Sequence, residues 1–168
     1  TYFYCYDNQL TSLDVSKNTA LTTLYCYSNQ LTSLDVSGCT ALTELRCSSN
    51  QLTSLDVSKN VALRTLSCYG NPFTTAEYDA IMCSLPMKDT SEKAIYYPLY
   101  NSSDTNAFKF GASNSLNAKA KNWSVQYNYD RTEINPTVGT YKCPFMGNSS
   151  RYITLNVTKD ELISIGLS

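Results

Sequence analysis

Cys5, Cys26, Cys47 and Cys68 stand 21 residues apart, and Asp14, Asp35 and Asp56 keep the same step. Thiols at fixed spacing can ligate metals or pair as disulfides, and carboxylates can hold calcium or move protons. The regularity argues against each of these. A ladder of cysteines offers ligands along a line, whereas zinc needs four converging on a point. Side chains in register on parallel strands point the same way, which suits poorly a disulfide dihedral of about 90°. A small apolar thiol repeated at the inward position of consecutive coils is the expected reading. Of seven cysteines, Cys83 falls on an expected helix and Cys143 sits in "TYKCPF"; a bond between them is left open. The aspartates form a row, where calcium wants oxygens around a point, so they are expected to be solvated, with Lys17 and Lys59 nearby. As equivalent copies they also lack the contrast in environment that an acid–base pair requires.

Histidine is absent, which removes the commonest general base, the usual activator of a nucleophile and the commonest metal ligand. The glycines form no phosphate-cradling loop. No cofactor and no metal is called for, and the chain is expected not to be an enzyme. Its net charge of −1, from 13 basic and 14 acidic residues, argues against nucleic acid or an anionic membrane as partner. No apolar stretch approaches the roughly 20 residues that span a bilayer. The opening "TYFYCYDNQL" lies partway through a repeat without an initiating Met, which reads as a processed product or a fragment whose targeting information has been removed.

The elements that carry these residues follow from the same period. Asn8, Asn29, Asn50 and Asn71 recur every 21 residues, as do Leu13, Leu34 and Leu55, and Val15, Val36 and Val57. Each unit is itself double. One half reads Leu31-x-x-Leu34-x-Val36-x-x-Cys39 and the other Leu42-x-x-Leu45-x-Cys47-x-x-Asn50. Both fit L-x-x-L-x-L-x-x-(N/C), the signature of leucine-rich repeats. Alternation such as Leu45-x-Cys47 suits a short strand with one buried face. One coil cannot bury its apolar set, but stacked coils share a continuous core. Two strands per coil are expected, making two narrow parallel sheets, with the asparagines turned inward to satisfy backbone groups at the bends. Cys39 stands where the equivalent half-repeats carry Asn18 and Asn60.

On these motifs the chain resembles bacterial leucine-rich repeat proteins of the 21-residue, nested 10/11 type (IRREKO repeats), and more distantly the internalins. The match is close over residues 1–71 and looser to about residue 130. The resemblance implies a leucine-rich repeat solenoid: a right-handed β/α superhelix with short parallel strands, two per 21-residue coil, and helix-containing C-terminal capping coils. It also implies an exported protein, extracellular or on the bacterial cell surface.

Three regions are expected: repeats over 1–71, larger helix-containing capping coils over 72–130, and a linker with a β-rich tail over 131–168. In the second, "TTAEYDAIMCSLP" reads as a helix with a Thr74/Glu77 capping box. "AIYYP" and "WSVQY" read as strands, and "NSLNAKAKNW" as a short helix. In the third, "RTEINPTVGTYK" reads as a linker, "RYITLNVT" as a strand, and "ELISIGLS" stays ambiguous.

The two sheets differ in what they present outward. On one, every coil repeats Ser-Leu-Asp-Val-Ser. On the other the outward set changes: Tyr2, Tyr4, Tyr6; Thr23, Tyr25, Tyr27; Glu44, Arg46, Ser48; Thr65, Ser67, Tyr69. A face that varies among near-identical coils is where recognition can be encoded. Tyr4, Tyr6, Tyr25, Tyr27, Glu44, Arg46 and Tyr69 are the candidate binding residues, since tyrosine gives rigid contact area with a hydroxyl to orient it. A protein-binding module is expected, with a glycan-binding module or a structural spacer as alternatives. Cross-strand aromatic pairing that merely stabilises a sheet, or cover from an earlier coil, would explain the same tyrosines. An exposed N-terminal strand edge also leaves a dimer through that coil open.

Overall fold

The computed structural model describes residues 1–111, 113, 115–134, 139–145 and 148–157, with side chains described outside the last two segments. Six strands, β1 (Tyr2–Tyr4), β2 (Thr23–Tyr25), β3 (Glu44–Arg46), β4 (Thr65–Ser67), β5 (Ala94–Leu99) and β6 (Trp123–Tyr127), form one parallel sheet in sequence order. The register is that of the repeat: Phe3 pairs with Leu24, Leu24 with Leu45, and Leu45 with Leu66. It then carries into the larger coils, Leu66 pairing with Tyr96 and Tyr96 with Val125. One strand per coil, in register apart from a shift between Tyr96 and Leu99 where β5 meets β6, makes the molecule a solenoid, because each coil must lie on the one before it.

The core lies between the sheet and the returning half of each coil. Leu24, Leu45, Leu66, Tyr96 and Val125 line it from the sheet; Leu31, Leu52, Val36 and Val57 face them, and all are fully buried. The asparagines turn inward and bind coil to coil. Asn50 Nδ2 donates to the carbonyls of Cys47 in its own coil and Cys26 in the coil before, and its Oδ1 accepts from Leu31 N. Asn29 and Asn71 make the same set one coil away. Bends where strand pairing stops thereby keep their polar groups paired.

The expected second strand of each coil is not formed. Among the described residues the Leu-Asp-Val halves carry no strand. The aspartates account for this: Asp14, Asp35 and Asp56 each accept, through Oδ1, the backbone N–H two residues on, at 2.9, 2.8 and 2.8 Å. Such Asx turns take the donor a ladder would use and bend the chain. The coil is therefore a strand on one side and a string of turns on the other.

Past residue 71 the coils lengthen. Helix α1 (Thr75–Ser84) starts at Thr74, whose hydroxyl accepts from Glu77 N, and buries Tyr78, Ile81 and Met82. Two short helices, α2 (Ala107–Gly111) and α3 (Ser115–Lys119), lie in the next coil; "NSLNAKAKNW" pointed to the second and nothing in the sequence reading pointed to the first. Phe110 from α2 meets Tyr78 and Tyr96 edge-to-face. Lys121 closes the C-terminal end of α1, donating to the carbonyls of Met82, Cys83 and Leu85.

Beyond the solenoid, β7 (Gly139–Phe145) pairs antiparallel with β8 (Asn148–Val157) in a separate two-stranded sheet. The linker expected across 131–142 thus ends in a strand from Gly139, since the alternating β8 supplies its partner. The side chains of Cys143, Ile153, Leu155 and Val157, and the ambiguous segment 161–168, lie outside the described residues.

Candidate functional site

The varying face of the sheet is a belt of aromatic rings. Tyr4 lies on Tyr25 with centroids 4.8 Å apart, and Tyr6 stacks on Tyr27 at 4.7 Å with planes only 6° apart. In-register strands place these rings one strand spacing apart, so face contact follows from the repeat. Glu44 and Arg46 lie two residues apart on β3 and so on one face; Arg46 Nε donates to Glu44 Oε1 at 2.7 Å. The guanidinium carbon of Arg46 lies 4.9 Å from the Tyr25 centroid. Glu44 also takes the Tyr25 hydroxyl, and burial with this neighbour pushes that phenol up from its ordinary value. Burial likewise raises Tyr27 and Tyr69, so all three are neutral hydroxyls at physiological pH.

Of the expected site residues, Tyr4, Tyr6, Tyr25, Tyr27, Glu44 and Arg46 thus form one connected patch. Tyr69 belongs to a second group. Its ring meets Tyr100 at 5.4 Å, and Tyr100 meets Tyr129 at 5.6 Å. Arg131 stacks on Tyr97, its guanidinium carbon 4.6 Å from the ring centroid. Arg46 joins the two groups, since its charge acts on Tyr25, Tyr27, Tyr69 and Tyr97 alike. The belt therefore runs the length of the sheet.

Tyr97, Tyr100, Tyr129 and Arg131 escaped the sequence reading because the 21-residue period ends near residue 71. A signal was present. Setting Tyr96 of "AIYYPLY" against Leu66 puts Tyr97 beside Ser67, and the same step places Tyr100 and Tyr129 at the strand ends.

Three positions read as outward are covered. Thr23, Ser48 and Ser67 share the face but are only 6%, 2% and 2% exposed. The serines are small side chains between large ones; their hydroxyls meet at 2.9 Å, and Ser48 also reaches the Tyr69 hydroxyl. The rings close over them, so the belt has no open notch at Ser48.

The cysteine column sits on the opposite, inner side of the same strands. Cys26, Cys47 and Cys68 are fully buried, Cys5 partly, and all four are free. Burial pushes the thiols of Cys26 and Cys68 up to about 12 and Cys47 well above its usual value. Thiols held protonated are neither nucleophiles nor metal ligands at neutral pH. Among the described residues no group of three or more Cys, Asp or Glu is placed to hold a metal ion. Cys83, on α1, is disulfide-bonded.

On the turn side, hydrogen bonds from Ser16 and Ser37 hold Asp14 and Asp35 below the usual carboxylate range, ionised and solvent-facing. A shallow hollow of about 390 Å³ near the strand starts is lined by Glu92, Lys119 and Glu133, among others. Its carboxylates are already engaged: Glu92 with Arg64 and Lys88, Glu133 with Lys119 and the Ser124 hydroxyl. Arg64 holds Glu92 below its ordinary value, so it is no proton donor at neutral pH.

Parallel strands in repeat register, inward asparagines tying coil to coil and a continuous core settle the architecture. The chain folds as a leucine-rich-repeat-like solenoid. No protein-family model matches it, and no curated protein does. Among solved structures it is similar to the functional domain of InlJ from Listeria monocytogenes, described as including a cysteine ladder. The two are 31% identical, with a TM-score of 0.48. The similarity covers 80% of this chain and 27% of that one, so this chain spans about a quarter of the length of its relative. No helix among the described residues is long and apolar enough to cross a membrane.

Proposed function

We propose that the chain is a non-enzymatic binding module that engages a protein partner through the tyrosine belt. The carrying observation is exposure combined with order. Tyr4 and Tyr6 are 53% and 41% exposed, Tyr100 and Tyr129 41% and 68%, and each contacts at least one further ring. Pre-stacked rings lose little freedom on binding, which is why such surfaces make effective anchors. A sheet that needed only cross-strand pairing would not leave this much aromatic area in water. A purely structural spacer gives no reason for the face to vary while the turn side repeats.

Chemistry has weaker support. The sequence holds no histidine, the buried column thiols stay protonated, and the carboxylates of the hollow near the strand starts are engaged in ion pairs. An exported or cell-surface setting is supported by the bonded Cys83, since disulfides persist in oxidising compartments. The exposed rings of Tyr4 and Tyr129 favour a second reading, a glycan laid flat on an open ring face.

The test is an array of surface proteins and glycans probed with the wild type and a Tyr25→Ala/Tyr27→Ala variant, both shown by circular dichroism to be folded. Protein binding that falls at least tenfold in the variant supports the reading. Glycan hits alone transfer the belt to the second reading. Hits indifferent to the substitution remove the belt from recognition.

A further inference from the structure

The belt carries two guanidinium groups, and their surroundings differ. Arg46 gives Nε to Glu44 and has no other hydrogen-bond acceptor among the described residues. Arg131 has no carboxylate within ion-pair distance among them; its contact is the face of Tyr97. The nearest acid in sequence, Asp130, is turned into its own loop, accepting from Thr132 N and Thr132 Oγ1 at 3.0 and 2.7 Å. Arg131 also sits at a φ of 63°, uncommon for a residue with a side chain. Its N–H donates to Tyr127 O, closing the turn after β6. That turn delivers an exposed arginine onto the Tyr97 ring, and its charge reaches Tyr69 as well.

Resting on the protein-binding reading, we infer that the partner presents an acidic side chain flanked by apolar or aromatic residues. Its carboxylate meets Arg131 beside Tyr69 and Tyr97, and its apolar neighbours lie on the tyrosine rows. Charge complementarity is the argument. A guanidinium held over a ring makes no hydrogen bond to it and keeps its donors for an acceptor, and a carboxylate accepts two of them in parallel. The Tyr69 hydroxyl near it, its ionisation pushed up by burial, is neutral and brings no competing charge.

The experiment uses the whole chain and three fluorescein-labelled peptides of equal length, alternating Phe with Glu, with Gln or with Lys. Fluorescence anisotropy is read at low and at high salt for the wild type, Arg131→Gln, and Tyr25→Ala/Tyr27→Ala. The expected wild-type preference for Glu over Gln is about tenfold, the worth of one charge-assisted hydrogen bond, and it should shrink with salt. Arg131→Gln should abolish the preference by weakening the Glu peptide more than the Gln peptide, whereas the tyrosine variant should weaken both peptides together. Equal binding of Glu and Gln peptides, a preference that survives Arg131→Gln, or failure to bind the Glu peptide at all overturns the carboxylate inference while leaving belt recognition standing. Binding that ignores the tyrosine substitutions defeats the underlying reading instead. A sulfated polysaccharide serves as the last arm; if it binds through Arg131 and the Glu peptide does not, the acidic partner is a glycan and the inference fails.

Discussion

The Arg46 guanidinium lies 4.9 Å from the centre of the Tyr25 ring, and its charge acts on tyrosines of both aromatic groups. On one side stand Tyr4, Tyr6, Tyr25 and Tyr27; on the other, Tyr69 and Tyr97, within reach of the same charge. Replacing Arg46 by Met keeps much of the aliphatic stem but removes the cation and leaves Glu44 without its partner. A stability loss of about 1 kcal/mol is expected, the scale of a partly exposed cation–π contact with its ion pair. Urea denaturation measures it, with Lys17→Met on the turn side as the neutral control. If Arg46→Met and the control are equal, Arg46 does not join the belt energetically.

Asn50 makes a sharper case, because its amide is buried and fully used. Substitution by Ala strands Leu31 N in the core and leaves the carbonyls of Cys26 and Cys47 one side-chain donor each, from Asn29 and Asn71. A buried group left unpaired costs on the order of 1–3 kcal/mol and each further lost hydrogen bond about 1 kcal/mol, so a loss of about 2–4 kcal/mol is expected. Asn8 occupies the same repeat position but is exposed, bonding only Cys5 O and Tyr6 O of its own coil. Asn8→Ala should cost less than about 1 kcal/mol. Similar midpoints for the two variants in urea would contradict the coil-to-coil role assigned to the inner asparagines.

The cysteine column predicts alkaline destabilisation. The folded thiols of Cys26 and Cys68 sit at about 12, against an ordinary value of 9.0. Between those values the unfolded chain releases protons that the folded chain keeps, so stability falls as pH rises. Stability from these groups is fully present below pH 9.0 and is lost progressively from there to about 12. Thermal melts across that range should show a steeper decline for the wild type than for Cys26→Ala/Cys68→Ala, each compared with its own value at neutral pH. Parallel curves would mean that the column thiols ionise as easily folded as unfolded.

How far the sequence led is visible at individual residues. Leu24, Leu45, Leu66 and the inner asparagines were legible because a solenoid repeats its buried contacts, and burial tolerates few alternatives. The Leu-Asp-Val half misled because alternation describes a strand and a tight run of turns equally; Asp14 Oδ1 reaching Ser16 N decides between them, and that choice is local geometry rather than pattern. Ser48 and Ser67 were read as outward by register, correctly for their backbone, but their neighbours' size determined their exposure. Tyr100, Tyr129 and Arg131 lay beyond the period, where only the continued pairing of Leu66, Tyr96 and Val125 restores the count.

Gly38 gives a prediction that runs against the repeat itself. The equivalent positions in the flanking coils are Lys17 and Lys59, so averaging the repeats would place Lys there. A Cβ at position 38 would stand 2.1 Å from the backbone oxygen of Ser16, closer than any real contact. The neighbouring Cys39 departs from the repeat as well. Where Asn60 spans to the coil before it with its amide, donating to Val36 O and Cys39 O at 2.9 Å each, Cys39 reaches Val15 O with a shorter thiol arm at 3.4 Å. A shorter tie there would draw the second coil onto the first, and the position beside it leaves room for a hydrogen only. Gly38→Lys and Gly38→Ala should therefore both destabilise, by about 1–3 kcal/mol as backbone is forced apart. Gly38→Lys combined with Cys39→Asn restores the longer arm of the other coils and should recover much of that loss. A stable single variant, or a double variant no better than Gly38→Lys alone, would show that the close approach at Ser16 has another cause.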